Sequence, residues 1–179
     1  MPDLGLALLI RAHNAIGEHF GAQPQPAPDH SALDLPGASF VTLTQAGNLR
    51  GCIGTLEAWR PLAIDIAENA LAAAFRDPRF APLRAAEFPA TRIEVSLLSA
   101  PEPWPVENEE DACRRLRPHV DGVILAAGER RATFLPQVWD DLPDPHDFLR
   151  HLKYKAGLPP EGWSPDIQLQ RYQVQKWKE

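Results

Sequence analysis

The sequence predicts an α+β fold, mainly antiparallel sheet with helices packed on it, from three observations. Period-two hydrophobic runs joined by turn residues occupy 38–56 and 122–135, the pattern of β-hairpins. Stripes at helical spacing occupy 4–20 and 62–75, the pattern of helices with one buried face. The chain has 179 residues and no internal repeat, a length that suits one domain, 1–179, able to bury about 70% of its unfolded surface.

In chain order, Asp3 can cap a helix running to Phe20, with Leu4, Leu8, Leu9, Ala12, Ile16 and Phe20 on one stripe and Gly21 at its end. Residues 22–37 carry Pro24, Pro26, Pro28 and Pro36 and read as a connector. Val41 and Leu43 then alternate with Phe40, Thr42 and Thr44, and 45–48 supply a turn before a second arm. Pro61 opens a helix whose broad face holds Leu62, Ile66, Ala67, Ala70, Leu71, Ala74 and Phe75, with Asp65 and Glu68 placed elsewhere. Pro78 disfavours helix at Asp77, so a turn follows at 77–80. A strand over 91–98 sets Ile93, Val95 and Leu97 against Arg92, Glu94 and Ser96. Residues 101–105 read as an irregular connector, and 107–116 as a helix with acids leading and arginines trailing. A second hairpin spans 122–135, a short helical turn starts at Pro136, and a helix over 147–156 ends before Gly157. Ile167, Leu169, Tyr172, Val174 and Trp177 suggest a terminal strand whose alternation slips, as at a bulge.

Composition narrows the function classes. Cys52 and Cys113 are the two cysteines, so there is no disulfide framework and no Cys-x-x-Cys pair for zinc or an iron–sulfur cluster. His146 and His151 are five apart, on different faces of a helix. No metal and no cofactor are expected. The formal net charge of -6 argues against a broad nucleic-acid surface, and the arginines at 114, 115, 117, 130 and 131 read as solvated charge. The start, Met1-Pro2-Asp3-Leu4, has no basic region of a signal peptide, and no run approaches the ~20 apolar residues of a membrane span. The expectation is a cytoplasmic protein without membrane association.

Residues 48–56 carry the strongest chemical signal. Strand alternation places Arg50, Cys52 and Gly54 on one surface and Leu49, Gly51 and Ile53 on the other, with the Arg50 and Cys52 Cα atoms roughly 6.5 Å apart. A neighbouring cation favours thiolate, the nucleophilic form. Glycine in a strand marks a bulge or a close approach of backbone or ligand, which reads as space kept open around Cys52. The same thiol also suits a small buried hydrophobe. Cys113, with no special surroundings in sequence, reads as structural. Glu94 and Ser96 become hydrogen-bonding or acid–base groups if their face looks into a cleft. Lys155 either complements the end of its helix or contacts the site, and Asp77 with Arg79 could be no more than a turn held by an ion pair.

Residues 49–54, 77–80, 93–96, 135–138 and 155–158 together resemble the AMMECR family, many of whose prokaryotic members are called AmmeMemoRadiSam system protein A. The resemblance covers roughly residues 4–177 and departs mainly at 22–37 and 139–147. It implies a compact α+β domain of two unequal lobes with the cysteine motif in a cleft between them. It also implies a modification pathway shared with Memo-like and radical S-adenosylmethionine proteins, without identifying a reaction. Carried over by position, the site residues are Arg50, Gly51, Cys52 and Gly54, then Asp77 and Arg79, Glu94 and Ser96, with Lys155 outermost.

Two functions compete. In the first, Cys52 is a nucleophile or acyl or alkyl acceptor, Arg50 holds an anionic group and Glu94 is the general base. In the second, the protein is a non-catalytic adaptor for a partner protein or small ligand, anchored by exposed aromatics among Trp104, Trp139, Trp163 and Trp177. RNA binding ranks third, because the basic residues are only local.

Overall fold

The computed structural model describes residues 3–179; the reading of Met1 and Pro2 as part of a start without a leader lies outside the described residues. In chain order the elements are α1 (Leu4–His19), β1 (Ala38–Gln45), β2 (Asn48–Gly54), α2 (Leu62–Phe75), β3 (Thr91–Leu98), β4 (Glu102–Pro103), α3 (Glu109–Arg115), β5 (Gly122–Ala127), β6 (Arg130–Phe134), α4 (Pro145–Lys155), β7 (Gln168–Tyr172) and β8 (Val174–Lys178). The fold is α+β, with two four-stranded sheets. The chain forms two compact units, one through Leu98 together with Gln175–Glu179, the other Ser99–Val174. No helix among the described residues is long and apolar enough to cross a membrane.

The first unit holds the sheet β2-β1-β3-β8, in which β1 is antiparallel to both β2 and β3. Leu8, Ala12 and Ile16 of α1 meet Ile66, Ala70 and Ala73 of α2 and Val41, Leu43, Ile93 and Val95 of the sheet in one core. Asp3 caps α1 as expected, its Oδ1 accepting from the N–H groups of Gly5 and Leu6. The β1–β2 turn places Ala46 at φ 50° and Gly47 at φ 80°, the positive pair that a two-residue hairpin requires. The proline-rich 22–37 segment is more than a connector: a 3₁₀ turn at Ser31–Asp34 sinks Leu33 into the core, and Pro36 forms a bridge with Pro61.

One charged residue departs from the helical reading of α2. Asp65, expected off the packed face, is fully buried. Its Oδ2 accepts from the Ser39 N–H at 2.9 Å, Ser39 Oγ at 2.6 Å and Asn69 Nδ2 at 3.1 Å. Its Oδ1 accepts from Thr55 Oγ1 at 2.5 Å and Arg60 Nε at 2.8 Å. Asn69 also donates to the Ser39 carbonyl and to Thr55 Oγ1. A carboxylate is tolerated in a core only with its acceptor sites filled, and these five bonds fill them with groups from β1, the 55–60 loop and α2.

The second unit holds the sheet β4-β7-β5-β6. Val123, Leu125 and Leu169 pack against Phe148, Leu149 and Leu152 of α4 and Ala112 and Cys113 of α3, with Trp139 stacked on Phe148 at 3.8 Å between ring centroids. Three expectations are corrected here. The 101–105 connector contains β4, paired with β7 at Glu102–Arg171. The single slipping terminal strand is two strands in different sheets, because the chain leaves one sheet after Tyr172 and enters the other at Val174. Of the tryptophans expected at a surface, Trp104 and Trp139 are buried, whereas Trp59 is 69% exposed.

Two predictions follow from this packing. Replacing Asp65 by Ala strands the donors of Ser39, Asn69 and Arg60 in the core and should destabilise the protein by roughly 3–5 kcal/mol, read from urea unfolding midpoints. A Cβ on Gly51 would stand 2.1 Å from the Ala73 carbonyl oxygen, a backbone atom of α2. Gly51→Ala should therefore destabilise by about 1–3 kcal/mol, and an unchanged midpoint would show that β2 and α2 separate freely.

Candidate functional site

The cysteine strand lies at an edge of its sheet, and a bulge sets its faces. Pairing runs Gln45–Asn48 and Thr44–Leu49, then shifts to Leu43–Gly51, Thr42–Cys52 and Phe40–Gly54. Arg50 is therefore the extra residue. The expected common surface holds for Cys52 and Gly54 and breaks at Arg50, because a bulged residue leaves the ladder and turns the chain locally. The Arg50 guanidinium goes to Glu87, with Nε and Nη2 each 3.3 Å from a carboxylate oxygen. Glu87 carried no signal in the sequence. It also accepts the Arg84 N–H at 2.8 Å, and that bond, followed by Arg50, pulls its carboxyl down to about 2.

Cys52 is half-buried. Its N–H donates to Asp77 Oδ2 at 2.9 Å, and its carbonyl accepts from Arg79 Nη2 at 3.3 Å. On the open edge of β2 the carboxylate and guanidinium thus stand where the carbonyl and N–H of a further strand would be, a side-chain cap on an edge. Asp77 is 4% exposed and binds Arg79 through both oxygens, at 3.0 Å to Nε and 2.7 Å to Nη2. The Arg79 hydrogen bond, supported by the Cys52 N–H, holds the Asp77 carboxyl well below the usual carboxylate range against the opposing effect of burial. The turn held by an ion pair is real, and it also anchors the cysteine backbone. The cation that reaches Cys52 is Arg79, not Arg50.

The thiol itself meets Thr42, with Sγ 3.3 Å from Oγ1, a residue that sequence reasoning did not single out. The space beside the glycines is filled rather than open. Gly51 lies on the Ala73 carbonyl of α2, and a Cβ on Gly54 would stand 2.2 Å from the Phe40 ring. Close approach by protein, the alternative to a ligand, accounts for both.

Glu94 pairs with Thr42 and Ser96 with Phe40, so Cys52, Thr42 and Glu94 form one row across three strands and Gly54, Phe40 and Ser96 the next. This face is opposite Val41, Leu43, Ile93 and Val95. Two strand spacings, roughly 10 Å between Cα atoms, separate Cys52 from Glu94; Thr42 stands between them and takes the contact with the thiol. The Glu94 carboxylate lies 3.2 Å from Lys178 Nζ and 3.9 Å from Lys176 Nζ. Ser96 is buried. Lys155 belongs to the second unit, where its Nζ donates to the Thr133 carbonyl at 2.9 Å and lies 5.2 Å from the Phe134 ring centroid. Cys113 is also in that unit, its thiol pushed up to about 11 by burial first and by Glu109 and other acidic neighbours second. Among the described residues no group of three or more His, Cys, Asp or Glu is placed to hold a metal ion.

The carboxyls of Asp77 and Glu87 are both lowered in the folded state. Their stabilisation is therefore complete above the ordinary values of 3.8 and 4.5 and is lost as pH falls through the lowered ones. Asp77→Asn should lower stability at pH 7, flatten the loss of stability below pH about 4, and speed hydrogen exchange at the Cys52 amide. Exchange at that amide unchanged from wild type would refute the edge cap.

The AMMECR1 family model matches residues 9–177. The chain is 40% identical over 186 residues to a protein of Methanothermobacter thermautotrophicus, covering 99% of this chain and 95% of that one. A protein of Thermotoga maritima is 39% identical over 158 residues, covering 87% and 86%. Among solved structures, the crystal structure of an uncharacterized protein from Pyrococcus horikoshii superposes with a TM-score of 0.81 at 31% identity, covering 100% of this chain and 93% of that one. With a match across nearly its whole length, and with the cysteine strand and its edge cap inside the matched region, the chain belongs to the AMMECR1 family.

Proposed function

We propose that the protein is a cytoplasmic component of a modification pathway shared with Memo-like and radical S-adenosylmethionine proteins, and that the Cys52 thiol is its reacting group. The observation that carries this reading is the held thiol: half-buried, 3.3 Å from Thr42 Oγ1, on a strand whose N–H and carbonyl at that residue are both clamped. A group fixed by packing and neighbouring hydrogen bonds is presented in one geometry, as catalysis requires. In the step envisaged the thiol proton leaves to water, the thiolate bonds to an electrophilic carbon, and the leaving group departs with its bonding pair. Glu94, in the same row, acts through water rather than by direct contact.

A second reading is favoured by a different observation. Leu35, Trp59 and Ile64 are 61%, 69% and 52% exposed on segments joined by the Leu62 N–H to Leu35 carbonyl bond and the Pro36–Pro61 bridge. Exposed apolar groups with a tryptophan among them suit an adaptor surface. RNA binding has less support, since Arg114 and Arg115 both pair with Asp111, and Arg117 pairs with Asp121.

One measurement separates the first two readings: the pH dependence of native Cys52 alkylation, with Cys52→Ser as the control for Cys113. An apparent pKa well below the reference of about 8.5 is the expected result for a reacting thiol. Protection until unfolding would refute that role and favour the adaptor.

A further inference from the structure

Arg50 and Arg79 are arranged alike. Each turns its Nε–Nη2 edge to one carboxylate, Arg50 to Glu87 and Arg79 to Asp77. Both guanidinium groups lie against the same ring, that of Phe80, at 5.9 Å and 5.5 Å from its centroid. The Nη1 groups take no part in these bonds. Arg50 Nη1 is buried and has no hydrogen-bond partner among the described residues, although the Arg50 side chain still keeps 14% of its surface exposed. A buried donor left unpaired is costly, the more so when charged, and such a group calls for a partner.

The charge balance supplies the sign of that partner. Glu87 is shared by Arg50 and Arg84, and Asp77 is taken by Arg79. Three guanidinium groups thus face two carboxylates, and the uncompensated positive charge lies with Arg50 and Arg84, which share Glu87. We propose that the corner formed by Arg50, Phe80 and Arg79 binds an oxyanion, a phosphate or carboxylate group of the molecule on which Cys52 acts, through the two Nη1 groups. With both fork edges already taken, each arginine offers one charge-assisted donor, and the two together can meet two oxygens of either group. This assignment rests on the reading of Cys52 as the reacting group and narrows its substrates to anionic ones.

The test uses the full chain with guanidinium nitrogens observed by NMR during titration with inorganic phosphate, and separately with acetate, each matched by sodium chloride of equal ionic strength. Saturable shifts of the Arg50 and Arg79 signals, with Arg150 unmoved, are expected. A response to acetate alone keeps the proposal and makes the group a carboxylate. In parallel, iodoacetate should alkylate Cys52 faster relative to iodoacetamide than it does glutathione, and phosphate should suppress that preference. Arg79→Lys keeps the charge but not the fork and should weaken phosphate binding by roughly ten-fold or more, the loss of one charge-assisted hydrogen bond. If that variant fails to fold, the wild-type titration decides alone. Signals that move no further than in chloride, or that move equally at Arg150, overturn the proposal. A thiol inert to both reagents with Arg50 and Arg79 still responding would instead refute the role given to Cys52.

Discussion

A single buried carboxylate organises the first unit. Asp65 lies in the first turn of α2, yet its bonds reach Ser39 at the start of β1 and Thr55 and Arg60 in the loop that leaves β2. An uncompensated charge in a core is expensive, so these segments are held to the one arrangement that satisfies it. The apolar contacts between α2 and the sheet are non-directional and would tolerate small slides; the Asp65 bonds do not. They orient α2 along the sheet and so place the Ala73 carbonyl under Gly51.

The second constraint is the bulge at Arg50. Counted back from the Ala46–Gly47 turn without it, Cys52 would pair with Val41, on the core side of the sheet. One extra residue moves the partner to Thr42 and turns the thiol to the opposite face, in line with the period-two rule that a slip of one residue exchanges faces. The same bulge frees Arg50 from the ladder to meet Glu87. On the outer edge the Asp77–Arg79 pair then closes the backbone of Cys52. Three local features, a bulge, an edge and a side-chain cap, thus act on a single residue, and none of them concerns the thiol chemistry directly.

Much of the fold was legible from local signals. The cap at Asp3, the turn at Ala46 and Gly47 and the stripes of α1 and α2 are set by interactions within a few residues, where dihedral preference and periodicity speak directly. Asp65 was misplaced because helical periodicity assigns charge outward unless partners are known, and its partners lie 26 residues back at Ser39 and 10 back at Thr55. Trp59 was missed and Trp104 and Trp139 misjudged because the burial of a lone aromatic depends on which segments cover it. In the candidate site, Cys52, Asp77 and Arg79 were named from sequence, whereas Thr42 and Glu87 were not, since each meets the site only across a strand or from a separate turn.

By itself the sequence determined the main helices and the two hairpins, the α+β class, the family resemblance and the cysteine strand as the place to look, because each is written in neighbouring residues. Only the tertiary structure decided which arginine stands at the cysteine, which face the thiol takes, and that the glycines are filled by protein. Those outcomes turn on one inserted residue in a strand register and on contacts between distant segments, and neither leaves a periodic trace along the chain.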